Sequence, residues 1–442
     1  MKPQTLTLFA SSALFLAPLT AASAQAPAPV PAALMTLPTA SPVASVYDQW
    51  RMNPIWFRGS VPAPAAGQLL SILRRAPFDG LASGPAIAAQ AEAAIAQAAS
   101  GNPATIAAAE RSLSAAWVHY VQTLKRPTKG MIYAYKFMEP QGTRADQILL
   151  TAAAAPSLEQ HLQAVSNLNP IYAHLRAAAI AQAQASGSLV PDQRLIANLD
   201  RARSIPAGGK FVLVDVATQR LFMYENGVPV DSMKVIVGTN EQPTPMIASV
   251  MHYVTFNPYW NAPDNLVRKA IAPNAISQGQ AYLKSRGYEV MSDWTENATV
   301  IPASEIDWKA VAAGREKIRV RQLPGGRNFM GDLKFPFPNG QDIFLHDTPA
   351  KELFAKNSRD LSNGCVRLED AHRFAKWLLG REPTAASGGP ELQVQMAQGV
   401  PIVLTYLTAH PADGDITYAS DIYGWDRSPE LAVAAANMVA RQ

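Results

Sequence analysis

Phe211-Val212-Leu213-Val214-Asp215-Val216, then Arg220-Leu221-Phe222-Met223-Tyr224-Glu225, then Asn226-Gly227: here the chain stops reading as helix. Both runs are apolar and rich in β-branched and aromatic residues, the composition of strands. Asn-Gly is a two-residue hairpin turn, because both positions tolerate positive φ. Ile205-Pro206-Ala207-Gly208-Gly209 just before them breaks any helix. Downstream, Met233 to Val237, Val250 to Phe256, Asp342 to Leu345 and Ile402 to Leu407 continue the strand pattern. Residues 205–410 therefore predict a mostly β domain. A long insertion, about 262–335, interrupts it, with helical pieces at Asn265 to Ile271 and Gln278 to Ser285. Insertions of this length inside a compact domain are usually functional lids or disordered, and the Trp, Tyr and Pro content here argues for an ordered lid.

Upstream, residues 46–204 are Ala-rich and read as helical. The clearest helix spans about 104–125, where Leu113, Trp117, Tyr120, Val121 and Leu124 recur at helical spacing, with Pro103 in the first turn and Pro127 as a stop. Similar patterns cover 84–99 and 157–186. His119, His161 and His174 lie in this region without a carboxylate or thiol cluster, and read as structural. The fold class is α+β: a helical domain, then a mostly β domain with its insertion, then a C-terminal extension over 411–442.

The first residues read as a secretory signal peptide over 1–24, with an apolar run from Leu6 to Leu19 and the small-x-small pattern Ala22-Ser23-Ala24. Ser11, Ser12 and Pro18 interrupt the run, which is shorter than the roughly 20 residues of a membrane span. Residues 25–45, rich in Ala, Pro and Ser, read as a flexible linker. The expected product is exported to the periplasm without stable membrane insertion. A net charge of +4 over 442 residues suits an anionic partner such as a cell-wall polymer and lends no support to nucleic-acid binding. There is no Gly-rich phosphate loop and no CxxC or HExxH spacing. No cofactor and no metal are expected, and a zinc hydrolase would need three ligands that the sequence does not assemble.

Cys365 is the only cysteine. Exported proteins usually pair their cysteines, so a solitary one is buried and inert, an intermolecular link, or a nucleophile. Its surroundings, Ser362-Asn363-Gly364-Cys365-Val366-Arg367, favour the nucleophile, with His346 nineteen residues upstream in Ile343-Phe344-Leu345-His346-Asp347-Thr348. A free thiol titrates near ~8.5 and reacts as thiolate. His346 can take its proton, Arg367 adds positive charge, and a helix read from Leu368 to Leu379 would bring its N-terminus near the sulfur. Ala371, Phe374, Ala375 and Leu378 form that helix's apolar face and Gly380 its end. Gly364 suits a tight turn, and the backbone N–H groups of Gly364 and Cys365 are natural oxyanion donors. His372 is a second possible base, one step off the apolar face.

These residues resemble the active-site signature of the L,D-transpeptidase (YkuD-type) family. Val214-Asp215, Gln219, Leu221, Tyr224 and Gly227, then Val237-Gly238 and Thr244-Pro245, are similar to that family's first strands. Asn257-Pro258-Tyr259-Trp260-Asn261 and Arg321-Gln322-x-Pro324-Gly325 resemble its large periplasmic, YcbB-like branch. The resemblance implies a cysteine acyltransferase of the aminoacyltransferase class. Cys365 would be acylated by a donor peptidoglycan stem at diaminopimelate, with release of a D-amino acid, and an acceptor-stem amine would resolve the thioester. The cross-link would be 3–3 by default, with 1–3 possible. His346 would be base and acid. Arg367, Trp260, Ser362, Asn363 and Phe344 would border the substrate, with Trp260 as a wall of the donor cleft, and residues 262–335 would be the capping subdomain. The resemblance also implies a role in cell-wall biogenesis and cell shape, a monomer, and a carbapenem target. Asn363 stands where many members have His, and Phe344 where relatives of this branch often have Tyr, so His346 is expected to lean on backbone carbonyls. Two other readings stay open: the same thioester hydrolysed by water, as in an L,D-carboxypeptidase or amidase, and a non-catalytic wall-binding scaffold.

Overall fold

The computed structural model describes residues 37–187, 190–384, 388–412 and 414–438. The expected signal peptide and most of the expected linker lie outside them. The linker's last residues are helical: α1 (Ala40–Trp50) buries Val43 and Val46, which gives that segment a packing face.

Seven more helices follow in the N-terminal region: α2 (Pro64–Arg75), α3 (Gly84–Ala98), α4 (Pro103–Leu124), α5 (Ala145–Ala154), α6 (Leu158–Ser166), α7 (Pro170–Ala185) and α8 (Gln193–Ala202). A short hairpin, β1 (Phe57–Arg58) with β2 (Val61–Pro62), lies between α1 and α2. α4 starts where the sequence predicts, with Asn102 accepting from the Ala104 N–H at 2.9 Å and Pro103 behind it. The stretch 157–186 is two helices, not one. Asn169 caps α7 through the Tyr172 N–H, and Pro170 opens it. The centre of this region is an ion pair sealed in apolar packing: Asp79 accepts from Tyr120, Tyr172 and Arg176 at 2.6–2.9 Å.

The helical region also contributes β3 (Met131–Tyr133) to the main sheet. The β domain begins with β4 (Phe211–Asp215), β5 (Arg220–Glu225), β6 (Val228–Gly238) and β7 (Met246–Phe256). Asn226 and Gly227 both have positive φ, +52° and +80°, as the turn requires. The insertion carries β8 (Trp260–Asn261), β9 (Tyr288–Met291), β10 (Val300–Ile301) and β11 (Arg319–Gln322), which form a separate four-stranded sheet. Helical segments over 264–278 and Gln280–Arg286 pack on it around Val267, Ile271, Leu283, Val290, Val311 and Val320. The insertion thus has its own core, where the sequence indicated only helical pieces and polar loops.

The chain returns through β12 (Leu333–Phe335), β13 (Leu345–His346), β14 (Asp360–Ser362), β15 (Val366–Leu368) and β16 (Leu392–Thr405). The strand order is β12-β13-β15-β6-β5-β4-β16-β7, and β12 pairs again with β7 through Leu333↔Phe256 and Lys334↔Thr255. Those two pairs close the sheet into a barrel. β3 occupies the other end of the same edge of β7, against Met246–Ala248.

The C-terminal extension is a clasp. β17 (Ala409–Ala412) pairs with β18 (Asp415–Tyr418) beside α7 and α8. Asp426, buried, pairs with Arg201 of α8 at 2.7 Å, and Arg201 also donates to the Trp425 carbonyl. No helix among the described residues is long and apolar enough to cross a membrane.

Candidate active site

Lys334, His346 and Arg367 are direct partners across three adjacent strands, β12, β13 and β15. In the parallel pairing of β13 with β15, Leu345 opposes Val366 and both are fully buried. Alternation along each strand therefore puts Phe344, His346, Cys365 and Arg367 together on the opposite face. The Val366 N–H donates to the Phe344 carbonyl at 3.0 Å, which sets Cys365 beside Phe344 and one diagonal step from His346.

His346 is buried, and its Nδ1 lies 2.5 Å from the Asp347 carbonyl. A ring nitrogen facing a carbonyl carries the proton, which leaves Nε2 as the acceptor. Burial first, then the charges of Arg367 and Lys334, hold the imidazole down to about 4, against the opposing pull of Asp347. That carbonyl orients the ring. Asp347 itself is bonded by the Lys351 ammonium at 2.7 Å and the Asp332 N–H at 3.1 Å.

Cys365 is half-buried, and its thiol points to the Asp342 carbonyl at 3.6 Å. Asp342 has φ +52°, a left-handed backbone conformation. Burial pushes the thiol up, although the Phe344 N–H and the charges of Lys334 and Arg367 act in the other direction. The resting pair is a neutral thiol beside a neutral imidazole.

Gly364, at φ +108°, makes the turn that presents the sulfur. Its N–H is not the expected oxyanion donor, because it already donates to Ser362 Oγ at 3.2 Å. Ser362 Oγ in turn donates to the Cys365 carbonyl at 2.5 Å, and Thr244 Oγ1 donates to the Gly364 carbonyl at 2.7 Å. The Cys365 N–H carries no hydrogen bond among the described residues and is the available donor of the two. Ser362 is buried and braces the loop from within, whereas Asn363 is exposed.

One sequence expectation is corrected by position. The helix after Cys365 runs Ala371–Leu379, with Ala371, Phe374, Ala375 and Leu378 buried as read. Strand β15 separates it from Cys365 by three residues, ~10 Å at a strand's rise, and the Asp370 side chain occupies its first turn. Its dipole does not serve the thiol. Trp260 is partly buried at the edge of the insertion's core, with Phe329 and Tyr288 at 4.7 and 6.5 Å between ring centres. His372 is exposed and faces Asp332 at 3.6 Å. With Asp347 these two form the one cluster among the described residues close enough to hold a cation, and Lys351 already neutralises Asp347.

Lys334 was not singled out from the sequence. Its ammonium lies 4.0 Å from the centre of the Phe344 ring. The alternation Leu333-Lys334-Phe335, apolar on either side of one lysine, was the available signal. The Arg321-Gln322 motif acts structurally: Gln322 is buried and donates to the Arg286 and Arg327 carbonyls, and Arg321 pairs with Glu289.

Residues 209–402 match a family model described as YkuD, L,D-transpeptidase catalytic domain, and residues 41–178 match one described as Scaffold domain. A Haemophilus influenzae protein named "Putative L,D-transpeptidase" is 28% identical over 325 residues, which cover 72% of this chain and 65% of the relative. The chain thus spans just under two thirds of that relative's length. Among solved structures, the Ldtfm–avibactam carbamoyl enzyme is similar over 46% of this chain and 50% of its own, at 12% identity and a TM-score of 0.23.

Proposed function

Given that the chain belongs to the L,D-transpeptidase (YkuD) family, we propose that it joins peptidoglycan stem peptides through a thioester on Cys365. The observation that carries this reading is the placement of Cys365 and a neutral His346 on one face of two paired strands. His346 Nε2 takes the thiol proton, and Sγ attacks the carbonyl after the L-centre of a donor diaminopimelate. The Cys365 N–H faces the developing oxyanion. The C–N bond breaks, and the departing D-amino acid takes the proton from His346. An acceptor-stem amine then attacks the thioester and gives its proton to His346. The C–S bond breaks, and the thiolate recovers a proton from the imidazolium.

The capping insertion and the preceding helical domain support the large periplasmic branch, and with it a 3–3 cross-link formed outside the cytoplasm. Arg367, with its Nε buried and without a partner, is a substrate-facing cation in this reading.

Incubation of the protein with purified sacculi, followed by mass spectrometry of the muropeptides, tests the reaction. New cross-linked dimers are expected. They should be absent with Cys365→Ala at unchanged thermal stability. Shortened stems without dimers would replace transfer by hydrolysis, and cross-linking by Cys365→Ala would remove the thioester mechanism.

A further inference from the structure

Two cations flank His346, one on each neighbouring strand, and neither has a carboxylate partner among the described residues. Lys334 pairs with no carboxylate among the described residues, and its nearest feature is the Phe344 ring. Arg367 has an orphaned Nε. Of the nearby acids, Asp347 is held by Lys351, and Asp342 is a single carboxylate whose charge acts on Cys365. With His346 and Cys365 both neutral, Lys334 and Arg367 outnumber the Asp342 carboxylate at the site.

The direction of Lys334 adds to this. Its Cα is opposite His346, yet its ammonium reaches back over Phe344, the residue beside Cys365. Phe344 and Asp342 also line a cavity of about 360 Å³, whose other walls include His252, Tyr253, Phe337 and Asn339. That volume lies within the range of small-ligand sites, roughly 300–1,000 Å³. Phe344, the ring that Lys334 covers, is therefore one wall of this cavity.

We infer that Lys334 is a carboxylate-recognition residue, which fixes an anionic group of the acyl donor over Phe344 as the donor enters from this cavity. The inference rests on the acyl-transfer reading for the identity of the donor, but its chemistry does not require turnover. An ammonium over an aromatic face is partly desolvated, so a carboxylate arriving there gains a charge-assisted bond in a shielded setting. In the absence of ligand the ring holds the ammonium in place.

The test compares alkylation of Cys365 by iodoacetate, a small carboxylate, with alkylation by neutral iodoacetamide. Both reagents read the thiolate, so any effect of Lys334 on thiol acidity cancels in the ratio of rates. We expect Lys334→Met to lower the iodoacetate-to-iodoacetamide ratio roughly tenfold, the scale of one hydrogen bond to a charged group. Lys334→Arg should retain most of the preference. Lys334→Gln serves as a second neutral variant with a polar end at this barrel-closing position, should Met disturb folding. An unchanged ratio in a folded neutral variant, or two rates that fall together, would overturn the assignment. The measurement is independent of cross-linking, so absence of transpeptidation and absence of anion recognition are told apart.

Discussion

His346 stands directly across from Arg367 in the parallel register of β13 and β15. After burial, that guanidinium is the next largest cause holding the imidazole at about 4. Burial and this pairing together keep the base neutral, and therefore able to accept a proton, near neutral pH. They also have a thermodynamic consequence. Between the ordinary imidazole value of ~6.5 and about 4, the unfolded chain binds a proton that the native chain refuses. The stability linked to this depressed pKa is fully present above the unfolded value and is lost as pH falls through that window.

Urea denaturation of the wild type and His346→Gln at pH 7 and pH 4 measures this directly. The wild type should lose more stability across the interval, with an excess of the order of 3 kcal/mol from a shift of this size. Parallel losses in the two proteins would mean that the imidazole is not held neutral by the fold.

The thiol gives a second pH signature. Burial raises Cys365 and the resting pair carries no charge. The rate of alkylation by iodoacetamide should therefore rise with pH along a curve whose midpoint lies above the free-thiol value of ~8.5. A plateau of high reactivity extending below neutrality is the mark of a thiolate–imidazolium pair, and its appearance would contradict the neutral resting state.

The parts legible in the sequence are those that local chemistry dictates. Asn226-Gly227, the apolar runs around it, and the Asn102-Pro103 start of α4 each specify a conformation within a few residues. The Cys365 and His346 motifs were legible as residue types. Their mutual register was not, because it arises from pairing between strands β13 and β15, which are separated in sequence by a short 3-10 turn and by β14. Barrel closure by Lys334↔Thr255 joins positions 79 apart in sequence, and no local pattern announces it. For the same reason Lys334 was hidden. The Gly364 N–H was misassigned because only the fold reveals that Ser362 already occupies it.

Asp426→Ala should separate the helical and β regions energetically. Asp426 is buried, pairs with Arg201 at 2.7 Å and with Arg194 at 3.1 Å, and accepts from Thr408 Oγ1. Removing one partner strands the buried guanidinium of Arg201, a change that typically costs about 3–5 kcal/mol. Urea denaturation should show that loss, and limited proteolysis should open the C-terminal clasp first. A loss below about 1 kcal/mol, the range of exposed pairs, would mean that the clasp contributes little.

Carbapenem labelling tests access to the sulfur with a reagent other than a stem. The strained ring amide opens on attack by Sγ, and the ring nitrogen stays tethered, so the adduct weighs the sum of protein and drug. One such adduct per chain is expected, on the peptide containing Asn363-Gly364-Cys365 and absent from Cys365→Ala. An adduct that persists in Cys365→Ala would point to a different nucleophile.

Gly364→Ala is the sharpest probe of the loop. The residue sits at φ +108°, where L side chains are strained, and an added Cβ would meet Ile343 Cδ1 at 3.0 Å. The turn is fixed from both sides, by Ser362 Oγ on its N–H and Thr244 Oγ1 on its carbonyl. It cannot relax without moving the next residue, Cys365. Strain of this kind costs about 1–3 kcal/mol, so a moderate fall in stability is expected. The larger effect should be on chemistry, because a shift of ~1 Å near a reacting group can cost on the order of a hundredfold in rate. Ser362→Ala removes one brace without adding a side chain, and should lower acylation less than Gly364→Ala does. Acylation rates from intact-protein mass spectrometry would rank the two. If Gly364→Ala acylates as fast as the wild type while losing stability, the turn holds the fold and does not aim the sulfur.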